Sequence, residues 1–223
     1  MGTAINRRPK AGARKRGHRA RSLSSMSNGG AFDQSCAPTL FARHDEIYRE
    51  GKPAEFIYKI ESGCVRTHNT LNGGRRQIDA FYFPGEFFGL DAHAVHGSSA
   101  VAVIPSAIRI MSRAAGDVVT TQHLLTLTAG EMQRIKKHNR LLRKRAEERV
   151  VGFLLDLAQR GQNPSEVDLP MARRDIADYL DLTIETVSRT LSRLERASAI
   201  SLATPWRVIL RDPSAIDWFN SQT

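Results

Sequence analysis

The segment MARRDIADYLDLTIETVSRTL, residues 171–191, constrains this chain more than any other. Ile176, Ala177, Leu180, Leu182, Val187, Leu191 and Leu194 recur at spacings that let two short helices, joined by a tight turn, share one small core. Thr183 stands where the second helix opens and is expected to cap it, its hydroxyl oxygen accepting from a free backbone N–H. Ile184, Glu185, Ser188 and Arg189 are left together on the opposite face. Two readings of that face are open. Glu and Arg one turn apart can form a solvated ion pair on an ordinary helix. They also suit the DNA major groove, where Glu accepts from cytosine N4 and Arg donates to guanine O6 and N7.

Charge bears on the choice. The chain of 223 residues carries a formal net charge of +10. Residues 1–30 hold Arg7, Arg8, Lys10, Arg14, Lys15, Arg16, Arg19 and Arg21 and no acid, which leaves the remainder near +2. The Gly-, Ser- and Arg-rich start has few large apolar residues to offset ordering entropy, so a disordered basic tail is expected over 1–30. Either it adds weak, salt-sensitive phosphate contacts or it has no role, the second reading including initiation at Met26. No apolar run approaches the roughly 20 residues that span a bilayer, and no apolar stretch follows the arginines as in a secretory signal. With only Cys36 and Cys64, a disulfide scaffold is not expected, and a cytoplasmic location fits.

From Phe32 to about Val119 the pattern is short strands broken by Gly, Pro and Asn, as in EFIYKIESG, CVRTHNT, RRQIDAFYF and AVAVIP. Turn signals fall at Gly51-Lys52-Pro53, Asn72-Gly73-Gly74 and Pro84-Gly85. Regular short strands with such turns predict a β-roll over about 31–117. A helix over about 118–146 follows, with Leu124, Leu127, Glu131, Ile135, His138 and Leu142 on a narrow seam. A seam that narrow is typical of a two-helix contact and points to dimerisation. A second helix is expected over Ala146–Arg160, stopped by Gly161-Gln162-Asn163-Pro164. Ile200–Leu202 and Trp206–Leu210 read as a hairpin, with a short helix around Ser214–Asn220 after it. Two helices and a hairpin make a winged helix-turn-helix over 147–223, an α+β chain overall.

That order of elements resembles the Crp/Fnr family of bacterial transcription regulators. The resemblance covers about residues 32–212 and rests on Tyr58-Lys59-Ile60-Glu61-Ser62-Gly63, Phe83-Pro84-Gly85-Glu86-Phe87-Phe88-Gly89, Glu147-Glu148-Arg149-Val150 and Glu185-Thr186-Val187-Ser188-Arg189. Gly74-Arg75-Arg76-Gln77, Ala80-Phe81-Tyr82 and Arg173-Arg174-Asp175-Ile176 are similar to the FixK subgroup, dimeric activators of low-oxygen respiration and nitrogen-fixation genes. The resemblance implies double-stranded DNA, RNA polymerase and a second copy as partners. It implies base reading of a TTGA-type half-site by Glu185, Ser188 and Arg189, beside Ile184. It implies phosphate contacts at Arg173, Arg174 and Thr186. On the hairpin, Arg207 is the expected phosphate contact. Two departures stand out. Asp181 replaces a glycine usual in the inter-helix turn, where Asp tolerates left-handed backbone. Ala199 replaces another after the recognition helix, and left-handed Ala would cost roughly 1–2 kcal/mol.

Nucleotide-binding relatives pair the Gly-Glu turn with an arginine for the phosphate. Gly85 and Glu86 remain, but the matching stretch reads Ser98-Ser99-Ala100, without that arginine. An anionic phosphate buried without a cation is costly, so no cyclic-nucleotide cofactor is expected. Four cysteine ligands for an iron–sulfur cluster are not available. Cys64 reads as a buried thiol, and Cys36 leaves a redox role open. His93 and His96 read as loop histidines, with no His-x-His and downstream Glu to complete a metal set. A regulator without cofactor is the main expectation. An effector- or haem-sensing regulator, a cupin-like metalloenzyme and a non-specific DNA coater led by the tail are the alternatives.

Overall fold

The computed structural model describes residues 37–71, 73–113, 121–161 and 163–211. The basic tail, Cys36, Asn72 of the hairpin signal and the helix expected around Ser214–Asn220 lie outside these residues.

The described chain begins with strands β1 (Thr39–Phe41), β2 (Glu46–Tyr48), β3 (Phe56–Ser62), β4 (Val65–Thr70), β5 (Arg76–Tyr82), β6 (Phe87–Phe88), β7 (Ser99–Ala102) and β8 (Ser106–Ser112). They form two antiparallel sheets in the orders β1-β8-β3-β6 and β2-β7-β4-β5. Alternation along the strands turns Tyr48, Tyr58, Ile60, Val65, Tyr82, Phe88 and Ile108 into the space between the sheets. Gly63 makes the β3–β4 turn at φ 97°, where a Cβ would collide with Ser106. Only glycine meets both demands without strain.

Two helices follow, α1 (Thr121–Leu142) and α2 (Ala146–Arg160). Next come β9 (Glu166–Asp168), α3 (Arg173–Leu180), α4 (Ile184–Arg196), β10 (Ile200–Thr204) and β11 (Arg207–Leu210). The last two strands pair as the expected hairpin, and β9 adds to β11 as a third strand that its sequence did not announce. Val150, Phe153, Leu154 and Leu157 of α2 pack with Ile176 and Leu180 of α3 and with Val187, Leu191 and Leu194 of α4.

The roll is not isolated from this second core. Phe81 leaves β5 on the face away from the roll interior and enters it, 6.2 Å from the Phe153 ring and 5.3 Å from Tyr179. An aromatic buried this fully contributes about 1.5–3 kcal/mol, and here that energy joins the two halves of the chain.

Candidate nucleic-acid interface

Helix α3 ends at Asp181, which takes the left-handed conformation at φ 52° and ψ 51°. Its short polar side chain makes that conformation tolerable, so the turn survives the missing glycine. Thr183 then caps α4, its hydroxyl oxygen accepting from the Thr186 N–H at 3.2 Å. The strain expected at Ala199 falls elsewhere. Ser198 carries the positive φ of 58°, while Ala199 is fully buried and ordinary in backbone. The chain therefore turns one residue earlier than expected, and Ala199 packs in the core.

With Val187, Leu191 and Leu194 turned inward, Ile184, Glu185, Ser188 and Arg189 are all exposed on the outer face of α4. The structure thus brings the four proposed base-reading side chains onto one surface. A hydrogen bond from its own backbone N–H, and then the Thr183 hydroxyl, hold the Glu185 carboxyl below the usual carboxylate range. An ionised Glu185 is an acceptor only, which is what a cytosine amino group requires.

The residues implied for phosphates are placed less uniformly. Arg174 is exposed and Thr186 is half-buried beside the cap. Arg173 lies against the wing, its Nη2 donating to the Pro205 carbonyl at 3.3 Å while its Nη1 is buried and unpaired. Arg207 is exposed but donates to Asp168 at 2.8 Å. Two of the three cations, Arg173 and Arg207, are therefore engaged within the chain. The sequence had no means of showing this, because Asp168 reaches Arg207 only through the β9–β11 pairing, and Pro205 reaches Arg173 only once the β10–β11 turn has docked on α3.

The seam expected for dimerisation is divided between two surroundings. Leu124 packs against the Ile57–Met111 cluster of the roll. Glu131 accepts from the Tyr82 hydroxyl at 3.1 Å and pairs with Arg134 at 3.4 Å. His138 stacks on Tyr179 with ring centroids 4.2 Å apart. Leu127 and Leu142 are half-buried on the same side. This stripe faces the roll and, at His138, α3 of the same chain. Ile135 alone of the expected set is well exposed; it borders the cavity between α1 and the roll and adjoins the exposed Leu125 and Met132, the three being 54, 66 and 53% exposed. A narrow helical period announces two contact faces equally, and only the docked roll distinguishes them.

A cavity of about 370 Å³ lies between α1 and the roll. Asp79, Asp91 and Glu131 all line it, against the single cation Arg134. Glu86, the acid of the Gly-Glu turn, is turned to other work. It receives Arg160 Nη2 at 2.9 and 2.7 Å and the Phe83 N–H at 2.9 Å. Ser98 lines the same cavity and hydrogen-bonds Tyr48. Three carboxylates around one arginine, itself ion-paired with Glu131 at 3.4 Å, make a poor fit for an anionic cyclic nucleotide.

The two other candidate groups are structural. Cys64 is fully buried, and burial pushes its thiol up, far from thiolate formation at neutral pH. His96 lies in the loop between β6 and β7, as expected, but its side chain is not solvated. It is buried, stacked on Tyr48 at 3.7 Å, and bonded through Nδ1 to Asp91 at 2.7 Å. Among the described residues, no group of three or more His, Cys, Asp or Glu side chains is placed to hold a metal ion.

Comparison with known proteins follows the same division. Residues 38–123 match the cyclic nucleotide-binding domain family, and residues 148–217 match the Crp-like helix-turn-helix domain family. The nitrogen fixation regulation protein FixK of Azorhizobium caulinodans is 42% identical over 215 residues, covering 86% of this chain and 87% of that protein. FixK of Rhizobium meliloti is 37% identical, covering 77% and 81%. The chain belongs to the Crp/Fnr family. Within that family its FixK relatives include a solved structure, FixK2 from Bradyrhizobium japonicum. That structure is 38% identical and superposes with a TM-score of 0.77 over 84% of this chain and 99% of its own. As a Crp/Fnr protein of this type it is a DNA-binding transcription regulator and not an enzyme. Its helix-turn-helix supplies the DNA-binding element, and its roll has the fold of the cyclic nucleotide-binding domain family.

Proposed function

We propose that this regulator binds a palindromic TTGA-type operator as a homodimer in the cytoplasm, and that with RNA polymerase it activates genes of low-oxygen respiration or nitrogen fixation. The exposed Ile184–Glu185–Ser188–Arg189 face of α4 carries the reading. In it Arg189 donates to guanine, Glu185 accepts from cytosine, and Ser188 and Ile184 allow close approach to the base edges. Arg174 and Thr186 contact phosphates directly. Arg207 does so by exchanging Asp168 for the backbone, and Arg173 shapes the wing that brings Arg207 there.

Dimerisation runs through the outer face of α1. Leu125, Met132 and Ile135 lie within three turns on one side of a 22-residue helix. A second copy of the same helix is the occupant that a self-complementary apolar stripe fits. The abundance of the protein, and not a small molecule in the roll, then sets its activity.

The test is binding to a TTGAT-N4-ATCAA duplex against a scrambled duplex at matched salt. A tighter operator complex by at least about a hundredfold is expected, within the usual range for specific binders. Equal affinity for both duplexes would overturn the reading and favour a non-specific DNA coater.

A further inference from the structure

Three arginines of the β4–β5 hairpin meet three aspartates of the helix-turn-helix. Arg66 Nη1 donates to Asp175 Oδ2 at 2.7 Å, and Arg76 Nη2 donates to Asp175 Oδ1 at 2.6 Å. Arg76 also grips Asp178 through Nε at 3.0 Å and Nη2 at 2.6 Å. Arg75 bonds Asp181 in the inter-helix turn. Asp175 and Asp178 are one turn apart on α3 and so present one face to the hairpin. Asp175 and Arg66 are both almost fully buried, at 6 and 8% exposure.

Such pairs are poor sources of net stability, because desolvation offsets much of their attraction. They are strict about geometry. Arg76 forks across two carboxylates, and a rotated α3 would leave Asp175 buried without a cation. Ile176 and Leu180 pack on Val187 and Leu191, so α3 and α4 move together. The orientation of α4 relative to the roll is therefore tied to which arginines face which aspartates.

We propose that Arg66, Arg75 and Arg76 of the roll are positioning residues for DNA recognition, clasping α3 so that α4 is held in its DNA-reading orientation by the chain's own charges. This rests on α4 being the DNA-reading helix, as proposed above. None of the three touches DNA in this role. The clasp supplies, from within the protein, the fixed relation between roll and helix-turn-helix that operator binding needs.

Removing an arginine lowers DNA affinity on almost any reading, so the decisive variant removes an acid. Asp178→Asn makes the protein more positive. If charge toward DNA were all that mattered, operator binding would tighten. If the clasp positions α4, operator binding weakens about tenfold, in the usual range of coupling between linked sites. Scrambled DNA, bound through phosphates alone, should be unaffected or slightly better bound. Arg76→Gln should weaken the operator complex to the same degree, and the Arg76→Gln, Asp178→Asn double variant should be no worse than either. Arg75→Gln, at an exposed pair, provides a variant that folding problems do not touch. Operator affinity unchanged or improved in Asp178→Asn, or additive losses in the double variant, would overturn the proposal. Amide hydrogen exchange without DNA is the independent measure. Asp178→Asn should speed exchange in the β4–β5 hairpin and α3, and unchanged exchange would overturn the clasp. Wild-type protein with no operator preference would instead overturn the DNA reading of α4 and leave the exchange result to judge the clasp.

Discussion

Arg160 Nη2 lies 2.9 and 2.7 Å from the two carboxylate oxygens of Glu86, joining the end of α2 to the Gly-Glu turn of the roll. The same nitrogen donates to the Phe81 carbonyl at 2.7 Å, and the guanidinium sits 4.6 Å over the Phe83 ring. A carboxylate so engaged is a strut between the two halves of the molecule, not a free acceptor for a sugar hydroxyl. Arg134 approaches the same carboxylate at 3.9 Å and lies over Tyr82 at 4.3 Å, which extends the strut to α1.

Cyclic nucleotides should therefore not bind. Calorimetry with cyclic AMP or cyclic GMP is expected to give no heat, and operator affinity should be indifferent to either. Saturable micromolar binding would show that Arg134 leaves Glu131 to meet a phosphate. Glu86→Gln should instead lower stability by about 1–3 kcal/mol in urea unfolding, the usual cost of losing hydrogen bonds to a charged partner. An unchanged midpoint would mean that the strut carries no energy.

The two faces of α1 make opposite predictions for assembly. Met132→Lys with Ile135→Lys should give monomers in analytical ultracentrifugation and weaken operator binding sharply, because a half-site holds one copy poorly. Glu131→Gln and His138→Phe, on the inward stripe, should leave the mass of the assembly unchanged. A dimer that survives the first pair and dissociates with the second would return the interface to the inward stripe.

Arg189→Ala should cost roughly 1–3 kcal/mol per half-site through loss of a guanine contact, and up to twice that over a palindrome. Glu185→Ala should act differently. An exposed acid in the groove repels phosphates and is tolerated where it meets cytosine. Its removal should relax the preferred half-site in a binding-site selection more than it lowers affinity. A Glu185→Ala protein as strict as the wild type would remove α4 from base reading.

Burial lowers the pKa of the His138 imidazole, whose Nδ1 is enclosed without a partner. In the unfolded chain the ring titrates near 6.5. The neutral ring is favoured in the fold, so stability is complete above that pH and is lost as pH falls below it, where the unfolded chain takes up the proton first. His68 adds to the slope with the same sign, its pKa lowered by burial and then by Arg66 and Arg76. His138→Phe should keep the stack on Tyr179 and make thermal unfolding between pH 7 and 5 less steep in pH. An unaltered pH profile would show that the ring protonates freely in the fold.

Much of the fold was legible because its signals are local. The β4–β5 hairpin, the stop of α2 at Arg160, the Thr183 cap and the outward face of α4 each depend on residues within a turn or two of one another. Hydrogen-bonding caps, left-handed tolerance at Asp181 and a 3.6-residue period act at that range, so the sequence determines them almost unaided. The inter-helix turn is the clearest case, since even its departure from glycine was readable as a residue that accepts φ 52°.

The rest was decided by docking. Arg66 and Asp175 are 109 residues apart, Glu86 and Arg160 are 74 apart, and Arg207 meets Asp168 across 39. As a string, each is only a charged residue among others. A signal did exist at Asp175, an acid on the buried side of α3 beside Ile176, but it named no partner. The same holds for α1, where one helical period served two faces and the roll took one. Local rules decide which helices and turns form, because their interactions close within a few residues. Tertiary packing decides which charges are buried together and which apolar stripe is left outside, because desolvation and shape fit exist only once the two halves have met.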